Sequence, residues 1–162
     1  APGGYTRYLH LNLSDNVYLL QAELVITYTY VVPTQQAGIY PITGELSSTV
    51  FNTGVADGAT YNSIMWVGTL GSGNTGKVRF QLASSNSSTG PWTFYGSNGT
   101  TCDTNYWYET TAPSTPVELK CAGAYHNNHQ YYRYKVQICS NDCSSSGDYT
   151  PTVQNIVVSW SP

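Results

Sequence analysis

The feature that most constrains this chain is alternation. Apolar side chains recur at every second position, the period of a β-strand and not of a helix. Val78, Phe80 and Leu82 alternate with Lys77, Arg79 and Gln81. Tyr132, Tyr134, Val136 and Ile138 oppose Tyr131, Arg133, Lys135 and Gln137. Over 17–32 the even positions run Tyr18, Leu20, Ala22, Leu24, Ile26, Tyr28, Tyr30 and Val32, while the odd positions mix apolar and polar residues. The same residues at helical spacing give no clean stripe. Further strands are expected at 45–51, 63–69, 77–84, 92–95, 117–121, 131–139 and 152–160, with Gly-rich and Ser-rich turns between them.

Composition points the same way. Ser, Thr and Asn make up near a third of the chain, and none of them favours a helix interior, which argues against a helical bundle. Aromatic residues at 14% and a net charge of −3 exclude a disordered chain. A length of 162 residues suits one domain. Eight or nine strands, with no helical stretch to cross between parallel strands, imply an all-β fold. The expected architecture is an antiparallel two-sheet β-sandwich, a jelly roll, over 41–162. It is preceded over 1–40 by a long extended segment or arm, and the two together read as one compact unit.

Charge excludes other classes. Six Lys and Arg in all cannot form a broad basic surface for nucleic acid. No run of eighteen apolar residues is present to span a membrane as a helix. Paired carboxylates for glycoside chemistry are scarce: Glu23, Glu45, Glu109, Glu118 and five Asp. His10, His126 and His129 have no Gly-x-Ser-x-Gly or similar nucleophile setting beside them. The sequence reads as a protein without catalytic residues.

Cys102, Cys121, Cys139 and Cys143 are an even set, as in a secreted protein with two disulfides. Spacing suggests the nearest-neighbour pairs, Cys102 with Cys121 and Cys139 with Cys143, although three connectivities exist. Zinc held by these thiolates with His126 and His129 is the competing reading. Asp57, Asp103, Asp142 and Asp148, with Asn141, are loop residues that suit a structural calcium ion, although solvated turn residues explain them as well. The opening Ala1-Pro2-Gly3-Gly4 reads as a mature or a trimmed terminus and not as a charged leader start. Asn12, Asn86 and Asn98 head N-x-S/T sequons.

Carbohydrate binding would need exposed aromatic faces beside amides and hydroxyls. The candidates are Trp92, Tyr95, Tyr106, Trp107, Tyr108, Tyr125 and His126. The bland alternative is that these aromatics close the ends of the sandwich. Consecutive strand residues face opposite ways, so Tyr106, Trp107 and Tyr108 cannot all be core. Arg79, Arg133 and Lys135 occupy outward strand positions, where a solvated face accounts for them.

From Gly44 onward the order of motifs is distinctive. Gly44-Glu45-Leu46-Ser47-Ser48-Thr49-Val50-Phe51 precedes Asn62-Ser63-Ile64-Met65-Trp66. Lys77-Val78-Arg79-Phe80-Gln81-Leu82-Ala83-Ser84-Ser85-Asn86, Gly90-Pro91-Trp92, Tyr132-Arg133-Tyr134-Lys135-Val136 and Thr150-Pro151-Thr152-Val153 follow. This order resembles extracellular jelly-roll modules, distantly like galactose-binding or discoidin domains, in bacterial pilin-like and other surface proteins. The resemblance covers about 110 residues. It implies a β-sandwich, a cell-surface or extracellular location and a role in adhesion or appendage structure, and it carries no catalytic residue across. A pilin of that type opens with a long apolar helix, which this sequence does not show.

Two functions from different classes follow. The first is a structural or adhesive subunit of a bacterial surface appendage, partnered with itself in a filament. In it the N-terminal arm adds a strand to a neighbour, with Leu20, Leu24 and Ile26 filling the neighbour's groove. The second is a carbohydrate-binding module whose partner is a cell-surface glycan.

Overall fold

The computed structural model describes residues 5–8, 25–28, 40–121 and 126–162. The chain divides into two compact units, Ala1–Gln36 and Ala37–Pro162. In the first, β1 (Tyr5–Tyr8) pairs antiparallel with β2 (Val25–Tyr28), placing Arg7 opposite Ile26. Of the expected arm residues, Ile26 thus lies in a strand ladder, while Leu20 and Leu24 lie outside the described residues.

The second unit is all-β and antiparallel. Its strands are β3 (Thr43–Ser47), β4 (Phe51–Asn52), β5 (Thr60–Thr69), β6 (Lys77–Ser85), β7 (Gly96–Ser97), β8 (Cys102–Asp103), β9 (Tyr108–Glu109), β10 (Val117–Glu118), β11 (Tyr131–Cys139) and β12 (Thr152–Ser161). A large sheet runs in the order β3, β11, β6, β9, with β4 also on β11. A small sheet runs β10, β5, β12, and β7 pairs with β8.

Alternation explains the core. Val78, Phe80 and Leu82 of β6 and Tyr132 and Val136 of β11 point inward from the large sheet, as their spacing predicts. They meet Tyr61, Ile64 and Trp66 of β5, with Val153, Ile156 and Val158 of β12 packed beside them. Phe80 and Leu82 are fully buried, each worth roughly 1.5–3 kcal/mol of transfer free energy. The Trp66 indole N–H donates to Thr110 Oγ1 at 2.6 Å, so the largest core side chain leaves no polar atom stranded.

Tyr61 and Ile64 both face inward although three positions apart, which a regular strand forbids. The register supplies the reason. Ser63 pairs with Ser159 but Tyr61 with Trp160, so Asn62 is an extra residue that resets the phase. The freed Asn62 carbonyl accepts from Leu119 N–H at 2.9 Å.

Three expected strands differ, one of them the 117–121 strand, which shortens to β10 at Val117–Glu118. The 45–51 strand breaks at 48–50, because Ser48 Oγ takes the Tyr134 N–H at 3.0 Å and diverts the ladder. The 92–95 segment is no strand; only Tyr95 bridges to Leu82. The short β8 and β9 were not foreseen, since two-residue ladders leave no alternation to read.

Candidate functional site

The outer face of the large sheet is covered, contrary to the solvated surface expected there. Gln81 points outward yet is buried, because its Nε2 donates to the carbonyls of Thr104 at 2.6 Å and Tyr106 at 2.8 Å. These bonds pull the 104–107 loop across the sheet. Gly96 permits the approach: a Cβ there would stand 2.0 Å from the Tyr106 oxygen.

The loops lay three aromatic rings among three cations. Arg133 lies 5.9 Å from the centroids of both Trp92 and Phe94. Lys135 lies 5.0 Å from Phe94 and 6.0 Å from Trp107, and Arg79 lies 4.9 Å from Trp107. The result is a ladder in the order Trp92, Arg133, Phe94, Lys135, Trp107, Arg79. Arg79 Nε continues it by donating to Gln137 Oε1 at 2.6 Å, and Gln137 Nε2 donates to Glu45. Burial holds the Arg79 guanidinium below its usual pKa, opposed in part by Glu109 and Glu45.

Beside the ladder, at the β9 edge, a cleft opens between the two sheets. Its volume is about 420 Å³, and its walls are Ser97, Asn98 and Gly99 of the β7–β8 turn, Trp107, Tyr108 and Glu109, and Val117, Glu118 and Lys120. Tyr108 faces the core, so alternation turns its neighbours Trp107 and Glu109 outward. A disulfide between Cys102 and Cys121 ties the β8 side to the segment after β10. Asn98 Oδ1 accepts from the backbone N–H groups of Thr100 and Thr101 at 3.0 and 2.8 Å, which fixes the rim of the cleft.

Behind this edge lies a buried polar cluster. Tyr108 Oη sits 2.8 Å from Cys121 Sγ and 3.1 Å from His126 Nε2. Tyr108 is 2% exposed and His126 3%. His126 Nδ1 has no hydrogen-bond partner among the described residues. Desolvation, reinforced by His129, pushes the His126 pKa down to about 4, so the imidazole is neutral at pH 7. Burial raises the Tyr108 phenol.

Ser84 Oγ stands 2.8 Å from His129 Nδ1 and 3.1 Å from the His126 carbonyl. The spacing resembles a nucleophile and its base. A carbonyl can only accept, however, so the Ser84 proton goes to His126 O and His129 Nδ1–H donates to Ser84.

The sequence candidates thus separate. Trp107 enters both ladder and cleft, and Trp92 enters the ladder. Tyr106 is exposed, and Tyr95 is half-buried with its ring 6.5 Å from His126. Tyr108 and His126 are not the exposed faces expected: both are buried, although Tyr108 still forms part of the cleft wall. Tyr125 lies outside the described residues. Asn98, Glu109, Glu118 and Lys120 were missed, because nothing in strand alternation reports which loops meet across a sheet edge.

The cysteines form two disulfides, Cys102–Cys121 and Cys139–Cys143, so no thiolate remains for zinc. No grouping of three or more His, Cys, Asp or Glu suited to a metal occurs among the described residues. Of the calcium candidates, Asp142 Oδ1 accepts from Ser144 N–H, Ser145 N–H and Ser145 Oγ, each at 2.9 Å, and these bonds lower its pKa. Asp103 Oδ1 accepts from Asn105 N–H at 2.8 Å. Compared with family models, curated proteins and solved structures, the chain matches none.

Proposed function

We propose that the chain is an extracellular structural or adhesive subunit of a surface appendage, that its two sheets form a jelly roll, and that copies join through the open edge formed by β3 and β4. The observation carrying this reading is the edge itself. Leu46 is 62% exposed, and Ile42, Val50 and Phe51 beside it are exposed too. Among the described residues β3 and β4 pair only with β11, leaving a row of backbone groups open to an added strand. No Lys or Pro blunts these two strands; Glu45 is the single charge on them, and it is engaged by Gln137.

Two disulfides, and no helix long and apolar enough to cross a membrane among the described residues, are consistent with an extracellular protein. The test is assembly of the full chain, followed by light scattering and electron microscopy, with Leu46→Lys as the perturbation. Leu46 is so exposed that the substitution leaves the unfolding temperature unchanged while oligomers disperse. A chain that stays monomeric at all concentrations, or oligomers indifferent to Leu46→Lys, refutes the reading.

A further inference from the structure

We propose that the cleft between β9 and β10 is a carbohydrate site for a neutral hexopyranose or a short neutral glycan. It lies at the edge of the large sheet opposite β3, so it does not depend on the assembly edge.

Four observations converge on it. The cleft, at about 420 Å³, falls within the roughly 300–1,000 Å³ of small-ligand sites and has room for a monosaccharide or disaccharide. Trp107 contributes an aromatic wall, and its ring is held by Arg79 and Lys135 at 4.9 and 6.0 Å. A fixed indole can take the C–H face of a sugar without losing rotamer freedom on binding.

Polar groups are also left over at the rim. Among the described residues the one ion pair is Lys77 with Glu109, at 2.7 Å. Glu118 and Lys120 both line the cleft, and neither has an ion-pair or side-chain hydrogen-bond partner there. A free carboxylate accepts from vicinal hydroxyls, and a free ammonium donates to a ring or hydroxyl oxygen. Asn98 Oδ1 is consumed by its own turn, which leaves its NH₂ as a further donor. Finally, the charges balance. Lys77 neutralises Glu109, and Glu118 and Lys120 offset each other, so the walls carry no net field to hold an anionic sugar.

The probes are methyl β-glucoside, methyl β-galactoside, methyl α-mannoside, N-acetylglucosamine and glucuronate, each titrated into the full chain with both disulfides intact. Saturation-transfer NMR and calorimetry read the binding. At least one neutral sugar binds saturably, and glucuronate binds more weakly. Glu118→Gln keeps the shape, and its exposed side chain makes unfolding no concern; it weakens binding about tenfold through loss of charge-assisted hydrogen bonds. Trp107→Ala removes binding, with circular dichroism confirming the fold. No saturable binding by any neutral sugar, preference for glucuronate, or binding unchanged in Glu118→Gln overturns the proposal. None of these results bears on Leu46→Lys.

Discussion

Lowering the pH should destabilise this protein in a window set by one buried histidine. His126 is 3% exposed and has a pKa pushed down to about 4 by burial and by His129. In the unfolded chain the same imidazole titrates near 6.5. Between those values the unfolded state binds the proton and the folded state does not, so stability falls as pH falls. The contribution is fully present above about pH 6.5, declines through the window and is gone near the folded value. A displacement of this size corresponds to about 3 kcal/mol, at about 1.4 kcal/mol per pKa unit. Against a total of roughly 5–15 kcal/mol for a domain, that is a large share. His129, lowered by burial as well, acts in the same direction. Asp142, held low by its turn hydrogen bonds, loses its contribution only at still lower pH. Urea unfolding from about pH 7.5 to about pH 4 measures the decline, and His126→Phe isolates it. The variant is less stable at neutral pH because Tyr108 Oη loses one of its partners, but its profile across the window is flatter by about 3 kcal/mol. Parallel profiles for the two proteins, or an NMR titration midpoint for His126 above 6, would show that the imidazole is solvated or partnered and that the reasoning fails.

Two further outcomes follow from the fold. The Cys102–Cys121 disulfide closes 19 residues and Cys139–Cys143 closes 4; by loop entropy their removal costs about 3 and about 2 kcal/mol, so guanidinium unfolding of the two double-Ala variants should rank them in that order. Lys135 lies over Phe94 at 5.0 Å; a double-mutant cycle on this pair should give a coupling of about 0.5–1 kcal/mol that persists in high salt better than an exposed ion pair does.

Much of the architecture was legible because strand alternation is a direct physical consequence of the pleat. Phe80 and Leu82 on one face, Arg79 and Gln81 on the other, required no tertiary knowledge. The nearest-neighbour disulfides were one of three readings, and the structure selects it. What alternation could not report was the layer outside the large sheet. Gln81 looked like a solvent-facing residue and is buried, because the partners of its amide are backbone carbonyls at Thr104 and Tyr106. Backbone acceptors leave no mark on a sequence. The same blindness hid the cleft, since Glu118 and Asn98 are ordinary polar loop and edge residues until β9 and β10 bring them to one place. Tyr108 misled for the opposite reason: in a chain with 15 Tyr, residue type alone says nothing about which phenol is inside.

The covered face also explains how a chain with so few charges deploys them. Three of its six cations, Arg79, Arg133 and Lys135, stand in one row on the sheet, and each lies over an aromatic ring. Placed in open solvent, they would serve solubility. Placed here, their stems cover apolar sheet surface while their charged ends meet the ring faces of Trp92, Phe94 and Trp107. The ladder thus acts as a second, polar core on the far side of the strands. Its last two cations, Lys135 and Arg79, hold the indole that walls the cleft. A loop-borne tryptophan would ordinarily lose rotamer freedom on binding a ligand, a cost of about 0.5–1.5 kcal/mol. Trp107 has met that cost in folding, through contacts with cations that strand register had already put in place.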